Sequence, residues 1–327
     1  MKNTEFNKSW ETVTNEKSIW EYMYIKDHSL YFEKDDNTIK LTSYKTKDLP
    51  KRTSKLTIAG NILVNLSTLG NIMSRCPGTE EVTLYSLLST PQSSFFGTSF
   101  DAKLLKIVAP PITWRRVAVE STIRYTLKKY ISDYKEPFVF MDIGSGCGFD
   151  GLEINRIADR MQELCKEQYI PTDNEIINID ISSKWLHNNE ILCDLLCQKN
   201  NNTKRYNISI FDYLEQKLYE QDCKGKKNLI VSCNGFAEFL DDETLTKLYM
   251  GIRDIAGIFT GRVHIILPFS IKDEHQQKIA DKIGFGYRAK PRLLMENLIG
   301  NIFPQYYQSF EEKYSQIVMT LERKSDF

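Results

Sequence analysis

The chain carries no excess of charge of either sign: 43 basic and 43 acidic residues balance over 327 positions. No overall positive field draws it onto a phosphate backbone or an anionic lipid surface, so nucleic acid is not favoured as a partner. It also lacks any apolar run near the ~20 residues needed to cross a bilayer, and its opening, MKNTEFNKSW, has no continuous apolar segment of the secretory kind. A cytoplasmic protein with no membrane partner is the expectation. The seven cysteines, at 76, 147, 165, 193, 197, 223 and 233, form no CxxC pair. That absence argues against the common zinc and dithiol motifs, and the thiols read as reduced and mostly buried. Neither internal repeats nor low-complexity tracts occur. What remains is an ordinary globular composition, long enough for a full hydrophobic core, which by itself selects no function.

Residues 1–110 read as a mixed, mainly helical cap domain. SLYFEKDDNTIKLTSYK, at 29–45, sets β-prone runs on either side of a turn-forming Asp-Asp-Asn and predicts a hairpin. Leu56, Ile62, Leu63, Leu66, Leu69 and Met73 recur at helical steps and predict one helix over 53–75, stopping near Pro77-Gly78. A shorter helix at 80–89 should lead into a polar loop carrying Phe95, Phe96 and Phe100. Pro110-Pro111 should mark the start of the next helix, with Val117, Ile123, Leu127 and Ile131 on one face.

Residues 111–327 read as the catalytic domain. Apolar runs of strand length alternate with helical patterns, the signature of βα units on a mostly parallel sheet. Strands are expected at 137–142, 175–180, 206–211, 228–233, 262–268, 303–310 and 315–322. The last two are joined too tightly for a helical crossover and must form an antiparallel hairpin. The predicted fold class is therefore α/β: a Rossmann-like, mostly parallel seven-stranded sheet with an antiparallel C-terminal hairpin, plus an α-rich N-terminal extension.

The chemistry concentrates in FVFMDIGSGCGFDG, at 138–151, where an apolar strand runs into three glycines at alternate positions and then into a helix. Glycine lets the backbone approach a ligand, and the helix N-terminus adds free N–H donors. A dinucleotide fingerprint needs G-x-G-x-x-G, but Phe149 stands where its last glycine belongs. Asp142, two residues before the first glycine, is awkward beside a pyrophosphate and suits a cationic ammonium group. The reading requires this bend to accept a ligand rather than be filled by neighbouring side chains.

Over roughly residues 114–327 the sequence resembles the class I S-adenosylmethionine-dependent methyltransferases, whose first motif, an acidic residue followed by G-x-G-x-G, is matched by Asp142, Gly144, Gly146 and Gly148. The resemblance implies S-adenosylmethionine as cofactor, with S-adenosylhomocysteine as product. It places these residues and Ser145 against the methionine part. It also implies that Asp180, at the end of the second strand and followed by Ile181, holds the ribose hydroxyls, with Asp212 on the adenine amino group and Phe211 beside the ring. Asn234, Phe236 and Glu238, after the fourth strand, should face the reacting methyl group. Asn234 is thus both a cofactor-binding and a catalytic candidate, and Glu238 is the candidate base or amine-orienting group. His275 and Tyr287 are lesser candidates.

Other residues read as structural. Asp241, Asp242 and Glu243 suit a helix N-terminus, His264 a packed core position, and Arg115, Arg116 and Arg124 the surface. No metal site is expected. With Phe95, Phe96, Phe100 and Trp114 near the mouth, a small or medium-sized, partly apolar acceptor is the predicted partner. The rival readings are an aminopropyl transferase or nicotianamine-like synthase using the same pocket, and a non-catalytic cofactor-binding relative.

Overall fold

The computed structural model describes residues 2–52, 56, 58–88, 95–165, 173–196 and 202–324. Its central element is a seven-stranded sheet built from β4 (Phe138–Ile143), β5 (Glu175–Ile179), β6 (Thr203–Tyr206), β7 (Asn228–Cys233), β8 (Val263–Ser270), β9 (Tyr306–Lys313) and β10 (Gln316–Arg323). Their order is β6-β5-β4-β7-β8-β10-β9, parallel except for β10, which runs antiparallel to both β8 and β9. The predicted fold class and terminal hairpin are those observed. Every residue of β4, β5, β7 and β8 is buried, as apolar runs covered on both faces require. The chain moves outward from β4 in one direction through β5 and in the other through β7, so the strand order reverses between β4 and β7. Crevices at such switch points, outside the carboxyl ends of the strands, are where α/β sheets bind ligands.

The sheet is flanked by α6 (Phe149–Leu164), α7 (Ser183–Leu195), α8 (Ile210–Glu215), α9 (Leu218–Asp222), α10 (Asp242–Ile258), α11 (Glu274–Ile283) and α12 (Arg292–Ile302). The N-terminal region contributes α1 (Lys2–Asn15), an antiparallel sheet of β1 (Met23–Lys26), β2 (Ser29–Lys34) and β3 (Asn37–Ser43), and then α2 (Ile58–Asn65), α3 (Thr68–Arg75) and α4 (Glu80–Leu88). The predicted hairpin is β2–β3, turning at Asp35-Asp36.

Three expectations need correction. The helix predicted over 53–75 is two helices. Ser67 caps the second by accepting from the Gly70 amide at 2.9 Å, and it donates 2.5 Å to the buried Asp101, which the 3.6-residue period could not reveal. The Pro110-Pro111 pair starts nothing: α5 (Phe95–Lys129) runs through it. Its first half buries Leu104, Leu105 and Ala109 in the N-terminal core, and its second buries Ala118, Val119, Ile123 and Leu127 against the main sheet. Packing at both ends offsets the lost backbone bonds, and position 110 falls inside one continuous element. The polar loop predicted before it is partly the first turns of that helix; 89–94 lie outside the described residues, as do the side chains of Phe95 and Phe96.

The third correction moves a strand. Expected at 206–211, it is β6, Thr203–Tyr206, because Ser209 accepts from the Asp212 amide at 3.0 Å and starts α8. Phe211 and Asp212 therefore stand on a helix.

Candidate functional site

Asp142, the penultimate residue of β4, is in register with Asn178 of β5 and Ser232 of β7. The chain then bends. The Gly144 and Ser145 amides both donate to Ile179 O, at 2.9 and 3.2 Å, and the Gly148 amide closes a turn on Ser145 O at 2.7 Å. Gly146 and Gly148 take φ of +54° and +63°, the left-handed region that side chains rarely adopt. A Cβ on Gly148 would come within 2.6 Å of the Asn178 amide nitrogen. The glycines are thus fixed first by the turn itself.

Asp180 closes the bend from the next strand. Its Oδ2 accepts from the Gly146 amide at 2.8 Å and its Oδ1 from the Ser182 amide at 2.7 Å. Burial pushes its carboxyl above the usual range, with these two amides opposing. Ile181 beside it is 78% exposed. Asp212 pairs with Ser209 Oγ at 2.7 Å and Phe211 packs partly against the main core, so both sit in a helix-start arrangement.

A cavity enclosing about 570 Å³, part of it open to solvent, lies over the switch point. Asp142, Gly144 and Ser145 line it from β4, and Asn234 and Gly235 from the end of β7. Trp20, Glu80, Leu84, Leu87 and Ile112 cover it from the N-terminal region. Asp142, Gly144, Ser145 and Asn234 are thereby brought together; Asp180, Ile181, Phe211 and Asp212 do not line this space. Ser145 Oγ and Asn234 Oδ1 are buried and have no hydrogen-bond partner among the described residues.

The cavity is rich in buried charge that the sequence did not announce. Arg116, expected at the surface, is buried and lies 2.5 Å from Asp150. Burial, with Asp150 alongside, pushes Asp142 well above the usual carboxylate range, against the pull of Arg116. Glu80, from the first turn of α4, rests on the bend: its Oε2 would stand 2.7 Å from a Cβ on Gly146. Burial drives its carboxyl up to about 8, opposed by Arg116 and reinforced by Asp180, Glu81 and Asp150. The Phe236 ring covers Gly144 in the same way. The bend is therefore partly filled by two side chains, contrary to the requirement read from the sequence that it stay free of them. The sequence offered only a helix over 80–89 here and did not single out Glu80.

Arg115 is buried as well, against expectation, and its Nη1 meets Glu238 Oε1 at 2.6 Å. It lines both this cavity and a second one, enclosing about 710 Å³, between α3, α4 and α5 on one side and the ends of β7 and β8 on the other. Glu238 and Tyr287 line the second cavity. The side chain of His275 lies outside the described residues. The acids after Glu238 are spent elsewhere: Asp241 caps α10 through the Thr244 amide, Asp242 pairs with Lys290, and Glu243 with Lys247. His264 is a core residue, 3.2 Å from the Tyr130 hydroxyl.

No family model matches this sequence, and no curated protein does. Among solved structures, a candidate methyltransferase from Thermobifida fusca superposes with a TM-score of 0.51 at 12% identity, over 77% of this chain and 97% of that one. The fold is that of the class I methyltransferases. Magnesium protoporphyrin IX methyltransferase from Synechocystis, solved with S-adenosylhomocysteine bound, also superposes, with a TM-score of 0.42 at 12% identity over 74% of this chain and 93% of its own. Within the class I methyltransferase fold described here, no helix among the described residues is long and apolar enough to cross a membrane. No group of three or more His, Cys, Asp or Glu among them could hold a metal ion.

Proposed function

We propose that the protein is an S-adenosylmethionine-dependent methyltransferase acting on a small or medium-sized acceptor. The observation that carries this reading is a pair of neighbouring cavities, one over the Asp142–Gly148 bend and the other sharing with it the lining residues Thr83, Ile112, Arg115 and Gly235. A donor site set beside an acceptor site is what a direct transfer needs.

The residues fit the cofactor. Asp142 and Glu80 offer carboxylates to an ammonium group, Arg116 offers a guanidinium to a carboxylate, and the unpaired Ser145 Oγ and Asn234 Oδ1 offer hydrogen bonds. Asp180 keeps lone pairs for a ribose diol after accepting its two amides. Exposed Ile181 offers an apolar surface for a base, with Phe211 and Asp212 on the neighbouring helix. S-adenosylmethionine carries its methyl group on a positively charged sulfur, so the donor arrives already activated. The protein's work is then alignment and exclusion of water. Leu84, Leu87, Trp20 and Ile112 cover the donor side with Asn234 beside them, and Glu238 lines the second cavity. The neutralised Glu238 and the spent acids at 241–243 leave little of the acidic channel that an aminopropyl transferase would need.

Calorimetric titration of the full chain with S-adenosylmethionine and S-adenosylhomocysteine tests the reading. Micromolar-range binding is expected, and the absence of both heat and thermal shift with either ligand would sink it.

A further inference from the structure

The second cavity carries chemistry beyond its position. Its walls are apolar, formed by Val82, Ile107, Val108, Ile112, Phe239 and Phe285 among others. Four of its polar groups form one hydrogen-bonded cluster. There Arg115 Nη1 lies 2.6 Å from Glu238 Oε1 and 3.4 Å from Gln316 Oε1, and Ser270 Oγ donates to the same Gln316 oxygen at 3.0 Å. One positive and one negative charge cancel, so the cavity presents no net field to a visitor. Because the pair is already neutral, a molecule bearing a charge of either sign would leave the buried site with a net charge, which is costly.

Among the described residues lining this cavity, two buried side-chain oxygens are left without a hydrogen-bond partner, Glu238 Oε2 and the Tyr287 hydroxyl. Glu238 is 6% exposed, and its Oε2 has no hydrogen-bond partner among the described residues. Its other oxygen is held by Arg115, and its main-chain carbonyl accepts from the Arg288 amide at 2.7 Å, so the carboxylate cannot turn away. A buried acceptor without a donor is a standing cost that a ligand N–H or O–H removes. The walls beside it favour an aromatic or similarly flat apolar body: Phe239 and Phe285 pack edge to face with centroids 5.2 Å apart, and Phe285 stacks on Tyr287 at 6.3 Å.

We propose that this cavity binds an uncharged, largely apolar, ring-bearing molecule through a single N–H or O–H directed at Glu238 Oε2, and that this is the acceptor class of the enzyme. The assignment of the molecule as acceptor rests on the methyltransferase reading; the binding chemistry does not. Arg115 acts as a positioning residue, fixing which carboxylate oxygen faces the cavity.

The test uses the full wild-type chain and probes rather than the unknown acceptor. Saturation-transfer NMR titrations compare indole, benzofuran and indole-3-carboxylate, in separate samples with and without S-adenosylhomocysteine. Indole and benzofuran share a shape and differ in the N–H donor, while the carboxylate adds a charge. Indole should bind at least about tenfold more tightly than benzofuran, since a hydrogen bond to a charged group contributes about that much, and the carboxylate more weakly than either. In Glu238→Gln the preference of indole over benzofuran should fall severalfold, with S-adenosylhomocysteine binding retained as the control for folding. Equal binding of indole and benzofuran, preference for the carboxylate, or no binding of any probe overturns the proposal. If S-adenosylhomocysteine binds while the probes fail, the cavity assignment falls and the methyltransferase reading stands. Discriminating probe binding with no affinity for S-adenosylhomocysteine gives the reverse outcome.

Discussion

Asp180 Oδ2 accepts a hydrogen bond from the Gly146 amide at 2.8 Å, so the carboxylate just after β5 holds the shape of the bend that follows β4. Two motifs 34 residues apart are thereby one device: loss of the carboxylate frees the loop as well as any ribose contact. Asp180→Ala should cost about 1–3 kcal/mol of stability, the range for leaving a buried donor unpaired, and weaken S-adenosylhomocysteine binding by at least about tenfold, as read by urea unfolding and calorimetry. Asp212→Ala is the contrast. If Asp212 serves only the first turn of its helix, the variant loses about 0.3–1 kcal/mol and binds the ligand unchanged; a matching loss of affinity would give Asp212 a place on the adenine.

Two glycine substitutions should move stability in opposite directions. Gly148→Ala forces a Cβ onto a backbone with φ of +63° and within 2.6 Å of Asn178, in a cluster where Asn189 also donates to Cys147 O. A cost of at least about 2 kcal/mol follows from the left-handed penalty and the clash. Gly257, within α10, has open space where a Cβ would stand. Gly257→Ala should stabilise by about 0.5–1 kcal/mol through helix propensity. Chemical denaturation of both variants decides the matter.

Breaking the Arg115–Glu238 pair from one side leaves the other charge buried and alone. Arg115→Ala should lose about 3–5 kcal/mol. Replacing both residues by apolar ones should restore most of that stability while abolishing the hydrogen-bonded cluster of the second cavity. A double-mutant cycle by guanidinium unfolding measures the coupling, and additive single effects would contradict the geometry.

Glu80 gives the unliganded protein a pH signature. Its carboxyl titrates near 8 in the folded state, above the ordinary value of 4.5. Between those values the native state holds a proton that the unfolded chain has released, so Glu80 makes stability fall as pH rises from about 4.5 through about 8. Asp142, shifted the same way, adds to the slope. Glu80→Gln should flatten this decline and raise the melting temperature above pH 8. A cation bound beside Glu80 and Asp142 favours their charged forms, so S-adenosylmethionine binding should release protons, seen as a dependence of calorimetric heat on buffer ionisation enthalpy. An unchanged stability profile in the variant, or binding without proton release, would remove Glu80 from the site.

Much of the architecture was legible in one dimension. The apolar runs of β4, β5, β7 and β8 and the short connection between β9 and β10 announced themselves, because strands buried on both faces must be apolar throughout and a tight link forbids a crossover. The glycine bend was legible because its conformation admits no side chain. Ser209 defeated the third strand, since a capping hydroxyl decides locally where an apolar run stops being extended. The continuity of α5 through Pro110-Pro111 was illegible for the opposite reason: cores at its two ends, distant in sequence, hold it together.

The sequence by itself determined that an acidic, glycine-rich turn would close the first strand of a mostly parallel sheet, since those properties live in neighbouring residues and in the period of apolar ones. Only the tertiary structure decided what surrounds that turn. Glu80 and Arg116 line the same cavity beside the turn, and Arg115 finds Glu238 from 123 positions away. Buried charges must be paired, and the partner is chosen by which helix packs over which strand end, a choice that no local pattern encodes.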